Sequence, residues 1–148
     1  MRARRGSRCR AVHCSRFPLA PSDRDRLIIA LDLGGTKLAA GLVAAGGQIR
    51  KLAAEPTDAS GRDACLNQLI AAALQAKGWA GGRAVGVGVS VPGLARRDGT
   101  VWAPNLPGWT RVPVARRLSC ATGLPVVVES DRNASVVGEA WRGAARGA

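Results

Sequence analysis

Apolar positions in this chain fall into short blocks punctuated by glycine and proline, and their spacing switches between the period of a strand and that of a helix. Leu27–Leu31 is unbroken apolar sequence running into Asp32, Gly34-Gly35 then turns the chain, and Leu38–Ala44 forms a second apolar run. Two such runs around Gly-Gly predict a β-hairpin, because glycine takes up the positive φ of a two-residue turn at little cost. Gly46-Gly47 marks another tight turn before Ile49–Ala54, so three strands are expected to form an antiparallel meander.

The period then changes. Leu66, Leu69, Ile70, Ala73 and Leu74 recur at i, i+3, i+4, i+7 and i+8, which predicts one apolar face of a helix over Arg62–Lys77. Thr57, Asp58 and Ser60 are candidate N-caps, and Gly78 is the expected stop. In Ala84–Ser90, Val85, Val87 and Val89 alternate with other small residues, including Gly86 and Gly88. Glycine inside a strand signals close approach by a ligand or another backbone. Val91-Pro92-Gly93 breaks that strand, and residues 94–111 read as a loop with Arg96-Arg97-Asp98-Gly99 at a turn. Pro113 opens a helix in which Val114, Leu118 and Ala121 share a face, Gly123 ends it, and Val126–Glu129 is the next strand. A last helix is expected from Asn133 to about Arg142, with Val136, Val137, Ala140 and Trp141 apolar. The order β-β-β-α-β-α-β-α predicts an α/β fold, with a mixed sheet built from a β-meander plus alternating helices and strands.

Composition changes this picture little. A chain of 148 residues suits one ordinary core. The net charge of +12 invites a polyanion reading, but half of it sits in residues 1–26, which hold eight Arg against Asp23 and Asp25. That Arg-rich tail reads as disordered. It is compatible with non-specific polyanion binding and equally with a start codon placed too far upstream; specific nucleic-acid binding is not expected. No apolar run reaches the roughly 18 residues of a membrane span, and the N-terminus shows no apolar h-region of an export signal. The expected location is cytoplasmic, with no membrane partner. Cys9, Cys14, Cys65 and Cys120 show no CxxC spacing, and Cys9-x4-Cys14 with His13 is short of a fourth ligand, so isolated thiols and no zinc site are expected.

Candidate chemistry gathers at the first turn. Asp32 ends a strand, Gly34 and Gly35 bare their N–H groups, and Thr36 and Lys37 add a hydroxyl and a cation. Such a turn can hold a phosphate chain and its Mg²⁺, with N–H donors and ammonium on the oxygens and the carboxylate on the metal or its waters. It is neither a GxxxxGK[ST] loop nor a GxGxxG fingerprint, and a plain hairpin carrying Asp and Lys is the competing reading. Asp131 also follows a strand, and ligands of open α/β sheets bind where strands end.

Five segments, LDLGGTK (31–37), VSVPG (89–93), APNLPGW (103–109), GLPVVVESDRNA (123–134) and GEAWRGAARG (138–147), resemble in order and spacing the ROK family of bacterial sugar kinases, glucokinases and related repressors. The resemblance covers about Leu27 to Gly147. It implies the fold of the actin-like ATPases, also called ribonuclease H-like. It implies that Asp32, Gly34, Gly35, Thr36 and Lys37 cradle the phosphates of ATP and their Mg²⁺, with Asp32 serving the metal through phosphates or water. By the same resemblance Pro92, Gly93 and Asn105 line a sugar site and Asp131 is the catalytic carboxylate, which orients the attacking hydroxyl and accepts its proton. Read from the residues alone, Asp131 is also a candidate N-cap for the last helix, with Ser130 as its rival.

The chain departs from the family pattern in two respects. Ser130-Asp131-Arg132-Asn133 stands where Asn-Asp-Ala-Asn is usual, so Ser130 inherits a sugar contact that is lost or runs through water. Arg132 pairs with Glu129 or Asp131, or points to solvent. The resemblance also implies that residues 27–148 correspond to the first lobe alone. The second lobe of full-length relatives carries another glycine-rich phosphate segment, an adenine pocket, a His/Cys zinc site and further sugar ligands, none of which occurs here. The implied function is ATP-dependent phosphorylation of a hexose or N-acylhexosamine hydroxyl, with little turnover expected of this lobe by itself. Self-association or a completing second lobe is the expected macromolecular partnership. The alternatives are a sugar-responsive regulator of the same family and a basic polyanion-binding protein.

Overall fold

A computed structural model describes residues 25–145. The expectation of disorder over 1–26 therefore lies outside the described residues apart from Asp25 and Arg26, as do Cys9, His13 and Cys14.

Strand β1 (Leu27–Leu33) alternates strictly: Leu27, Ile29, Leu31 and Leu33 are buried, while Ile28, Ala30 and Asp32 point to the other face. That period of two commits one side of the strand to the core and leaves Asp32 on the other. Antiparallel β2 (Lys37–Ala44) and β3 (Ile49–Pro56) complete the meander, with Leu33 opposite Leu38 and Leu38 opposite Glu55. Helix α1 (Arg62–Ala80) crosses over, and β4 (Ala84–Val91) enters parallel beside β1. A short hairpin follows, β5 (Leu94–Ala95) and β6 (Val101–Trp102), then α2 (Val114–Thr122), parallel β7 (Val126–Ser130) and α3 (Asp131–Arg142). The main sheet is ordered β3-β2-β1-β4-β7.

The core lies between one face of this sheet and α1 with α2. Leu66, Leu69, Ala73, Ala76 and Ala80 of α1 and Val114 and Leu118 of α2 are buried there with Val87, Val89 and Val91. Each fully buried Leu, Ile or Val contributes on the order of 1.5–3 kcal/mol. Lys77 ties the two helices, its Nζ donating to the Thr122 carbonyl at 2.6 Å.

Several local expectations are corrected. Gly78 does not stop α1: the helix continues so that Ala80 is buried, and Gly81, with φ of 56°, forms the left-handed cap. A mid-helix glycine costs only about 1 kcal/mol, which the extra packing offsets. None of Thr57, Asp58 or Ser60 caps α1; Gly61 stands at the N-cap, while Asp58 Oδ1 accepts from the Ser60 N–H at 3.0 Å in a turn of its own. Leu74, grouped with the apolar face, is exposed. Residues 94–111 are not only loop, because they contain β5 and β6, and a bridge pairs Val101 with Val112. On α2 the third buried position is Thr122 rather than Ala121; its hydroxyl is satisfied by the Leu118 carbonyl at 2.8 Å. Cys65 is a free buried thiol, as expected.

Helix α3 differs in kind from the others. None of its residues is buried, and Val136, Val137 and Trp141 are exposed. It runs over the sheet face opposite α1, where a Cβ on Gly47 in the β2–β3 turn would stand 3.2 Å from the Trp141 ring. Between α3 and the sheet lies an open trough of about 380 Å³, lined by Ala30, Val43, Leu52, Gly88 and Val127 with Ala134 of α3 above.

Candidate active site at the carboxyl ends of the strands

The polar residues of interest collect at one end of the sheet because β1, β4 and β7 are parallel. In register, Asp32 of β1 pairs with Ser90 of β4, and Ser90 pairs with Glu129 of β7. The three make a polar row across neighbouring strands at the mouth of the trough, which all of them line. Adjacent strands lie about 4.8 Å apart, so the carboxylates of Asp32 and Glu129 flank the Ser90 hydroxyl on one face. One position further along, Val91 pairs with Ser130, which brings Pro92-Gly93 beside Ser130-Asp131.

The Gly34-Gly35 turn forms as expected, but for another reason. Neither glycine has a positive φ. What distinguishes them is crowding: a Cβ on Gly34 would lie 3.0 Å from the Lys37 carbonyl oxygen, which is backbone, and one on Gly35 would lie 3.2 Å from Asn105 Nδ2, the end of a side chain that must give way. The Gly34 N–H donates to the Lys37 carbonyl at 2.8 Å and closes the turn, so the expectation that Gly34 bares its N–H is corrected: that donor is used within the turn. Thr36 and Lys37 are exposed beyond it, without a side-chain partner among the described residues. Thr57 holds the turn from behind, its hydroxyl donating to the Gly34 carbonyl at 2.8 Å and its N–H to the Thr36 carbonyl at 3.0 Å.

The segment 103–109 lies across both the turn and the end of β4. Asn105 meets Gly35, while a Cβ on Gly93 would collide with the Trp102 carbonyl and stand 2.9 Å from Ala103 Cα. Trp109 anchors the segment in the core at 1% exposure, and its buried Nε1 has no hydrogen-bond partner among the described residues.

At the β7–α3 corner Ser130 is the N-cap, its Oγ accepting from the Asn133 N–H at 3.3 Å. Asp131 is thereby not the cap but the first residue of the helix, exposed, with Oδ1 accepting from the Arg132 N–H at 2.7 Å. Glu129 fixes the corner from the strand side: Oε1 accepts from the Ser130 N–H at 2.8 Å and from Asn133 Nδ2 at 3.0 Å. The Ser130 N–H first, and Asn133 after it, hold the Glu129 carboxyl below its ordinary value. Of the alternatives for Arg132, the observed one is solvent, since it forms no ion pair with Glu129 or Asp131.

The structure thus brings Asp32, Gly34, Gly35, Thr36, Lys37, Pro92, Gly93, Asn105, Ser130 and Asp131 to one end of the sheet. Asp32 faces the trough, and Asp131 sits beyond its rim on α3. Sequence reasoning misses Ser90, Glu129 and the role of Thr57. The register of β1 against β7 would pick out the first two, but it follows from β4 lying between them. No group of three or more His, Cys, Asp or Glu side chains able to hold a metal occurs among the described residues. Nor is any helix there long and apolar enough to cross a membrane.

Strand order, crossovers and a glycine turn facing the strand ends define an α/β lobe of the actin-like ATPase (ribonuclease H-like) class. The family model for the ROK family matches residues 28–148, and the chain belongs to that family. A glucokinase of Thermotoga maritima is 37% identical over 123 residues, a match covering 81% of this chain and 38% of the relative. An N-acetyl-D-glucosamine kinase of Escherichia coli is 34% identical over 114 residues, covering 74% of this chain and 36% of the relative. The crystal structure of a ROK family glucokinase from Streptomyces griseus in complex with glucose and AMPPNP superposes with a TM-score of 0.73 at 35% identity, covering 82% of this chain and 38% of that one. The chain therefore spans under two fifths of the length of these relatives.

Proposed function

We propose that residues 27–148 form the first lobe of an ATP-dependent sugar kinase and carry one wall of its cleft. The observation that carries the reading is the convergence of the glycine turn, Pro92-Gly93, Asn105 and Asp131 at the ends of parallel strands, in a family whose relatives here are named glucokinase and N-acetyl-D-glucosamine kinase. The substrate class is a hexose or N-acylhexosamine, and the setting is the cytoplasm, where ATP is made available.

The residues present suit a nucleotide phosphate chain with Mg²⁺. The turn is bare backbone where a Cβ would strike Asn105, Lys37 offers an exposed ammonium and Thr36 a hydroxyl, and Asp32 supplies a carboxylate for the metal or its waters. When bound, Mg-ATP supplies the phosphoryl group. Asn105, Ser130 and the Pro92-Gly93 backbone hold the sugar, and Asp131 hydrogen-bonds its attacking hydroxyl and accepts the proton. Ser130 Oγ is committed to the Asn133 N–H as a helix cap, and its hydroxyl also reaches the Glu129 carboxylate, so a sugar contact from Ser130 competes with the corner itself. A second lobe supplies the facing wall, because phosphoryl transfer needs groups on both sides of a closed site.

The test is phosphoryl transfer from Mg-ATP to glucose and to N-acetylglucosamine, with the wild-type protein beside Asp131→Asn. Transfer that falls by about 10²–10⁴-fold in the variant, with the unfolding midpoint unchanged, supports the role of Asp131. Equal and measurable transfer by both proteins overturns it.

A further inference from the structure

Thr57 is read from sequence as a helix cap, yet its two polar groups turn the other way, onto Gly34 and Thr36 of the glycine turn. The residues on either side of it are bracketed by one side chain of α1. Gln68 Nε2 donates to the Pro56 carbonyl at 2.8 Å, and Gln68 Oε1 accepts from the Asp58 N–H at 2.8 Å. The amide of Gln68 thus uses both ends to fix the chain at 56 and 58, which leaves Thr57 held between them and aimed at the turn.

We propose that Thr57, braced by Gln68, is a positioning residue that presets the glycine turn for a phosphate chain; the assignment to phosphate rests on the nucleotide reading above. Gly34 and Gly35 have no side chains to hold their conformation, and glycine loses more backbone freedom on ordering than any other residue. Something outside the turn must supply that order. Thr57 occupies the Gly34 and Thr36 carbonyls, so these acceptors are turned back into the lobe. Carbonyl oxygens facing an incoming phosphate would repel it, and hydrogen-bonding them from behind takes them out of its path. The bracket also runs directly from a helix anchored in the core by Leu66 and Leu69, on either side of Gln68 in sequence, to the turn. Its action is through the turn backbone; Thr57 itself touches no reacting atom.

The experiment is hydrogen–deuterium exchange of the whole 148-residue chain, with and without Mg-AMPPNP, for wild type, Thr57→Val, Thr57→Ser and Gln68→Met. Without nucleotide, Thr57→Val is expected to speed exchange of the Gly34–Leu38 amides by about five- to tenfold, the worth of one hydrogen bond. Protection of α1 and β4 should stay at wild-type level, and Thr57→Ser should restore the turn. Gln68→Met keeps the length of the side chain and should loosen residues 56–58 and the turn together, so it tests the bracket even if Thr57→Val does not fold. Turn exchange unchanged in Thr57→Val and Gln68→Met overturns the bracket. Mg-AMPPNP should slow turn exchange in wild type and in Thr57→Ser, and less in Thr57→Val. Faster exchange in Thr57→Val, without nucleotide protection in any of the four, keeps the bracket and overturns its assignment to a nucleotide.

Discussion

The side-chain amide of Asn105 stands against Gly35, so closely that a Cβ on the glycine would lie 3.2 Å from Nδ2. The turn assigned to phosphate and the segment assigned to sugar are therefore in contact before any ligand binds. Gly35→Ala must push Asn105 aside by a few tenths of an ångström. Because the amide is the flexible end of a side chain, the fold should survive. Sugar affinity should weaken by about tenfold, as expected for a displaced positioning group, and calorimetric titration with glucose or N-acetylglucosamine measures it.

Gly93 gives the opposite expectation. There the obstruction is backbone, the Trp102 carbonyl and Ala103 Cα, and neither can swing away. Gly93→Ala should destabilise the lobe by about 1–3 kcal/mol. A urea titration should show a lower midpoint with an unchanged slope.

The Glu129 corner sets an acid dependence. Its carboxyl sits below the ordinary value of 4.5 because the Ser130 N–H, and then Asn133, bind its charged form. A group whose folded pKa is depressed stabilises the fold above its unfolded pKa, and that contribution is lost as pH falls through the lower folded value. The start of α3 should therefore loosen below about pH 4.5. Glu129→Gln keeps an acceptor oxygen but no charge, and should remove that part of the pH dependence. Helix content followed by circular dichroism from about pH 6 down to about pH 2 reports it.

Cys65 should be inert in the folded chain. It is fully buried, and burial pushes its thiol up to about 11. Thiolate is the reactive form, so alkylation at about pH 8 should leave Cys65 unmodified in buffer and modify it in denaturant, as read by peptide mass spectrometry. Alkylation at the same rate in both conditions would contradict its place in the core.

Apolar surface predicts association. Leu52 is 61% exposed, Val136 68% and Trp141 51%, around the trough and along α3. Large apolar residues left exposed in this number favour association in water. Sedimentation of the 148-residue chain should show concentration-dependent self-association. Replacing Val136 and Trp141 with Lys and Gln should reduce it.

The strand plan is legible because each strand is a short apolar block bounded by glycine or proline, and a meander followed by alternating helices and strands admits few sheet orders. The polar residues at Asp32 and Asp131 stand out for the same reason, as interruptions at the ends of such blocks. What is not legible depends on contacts distant in sequence. Thr57 looks like a cap by local rules, and only the fold turns it onto Gly34. Gly78 looks like a stop, and only the burial of Ala80 carries the helix past it. Local turn rules credit the glycines of the first turn with positive φ, whereas the neighbour that crowds Gly35 is Asn105, in another part of the chain. Glu129 enters the sequence reading only as a partner for Arg132, because its pairing with Asp32 through Ser90 is a property of sheet register.

The most direct test of the central claim is a heteronuclear NMR titration of the labelled 148-residue chain with Mg-AMPPNP, which detects weak binding residue by residue. If the glycine turn holds the phosphates, the backbone amides of Gly34, Gly35, Thr36 and Lys37 shift first and together, and the shifts vanish in Lys37→Ala. A titration that leaves those four amides unmoved up to millimolar nucleotide, or moves only residues far from the strand ends, would contradict it.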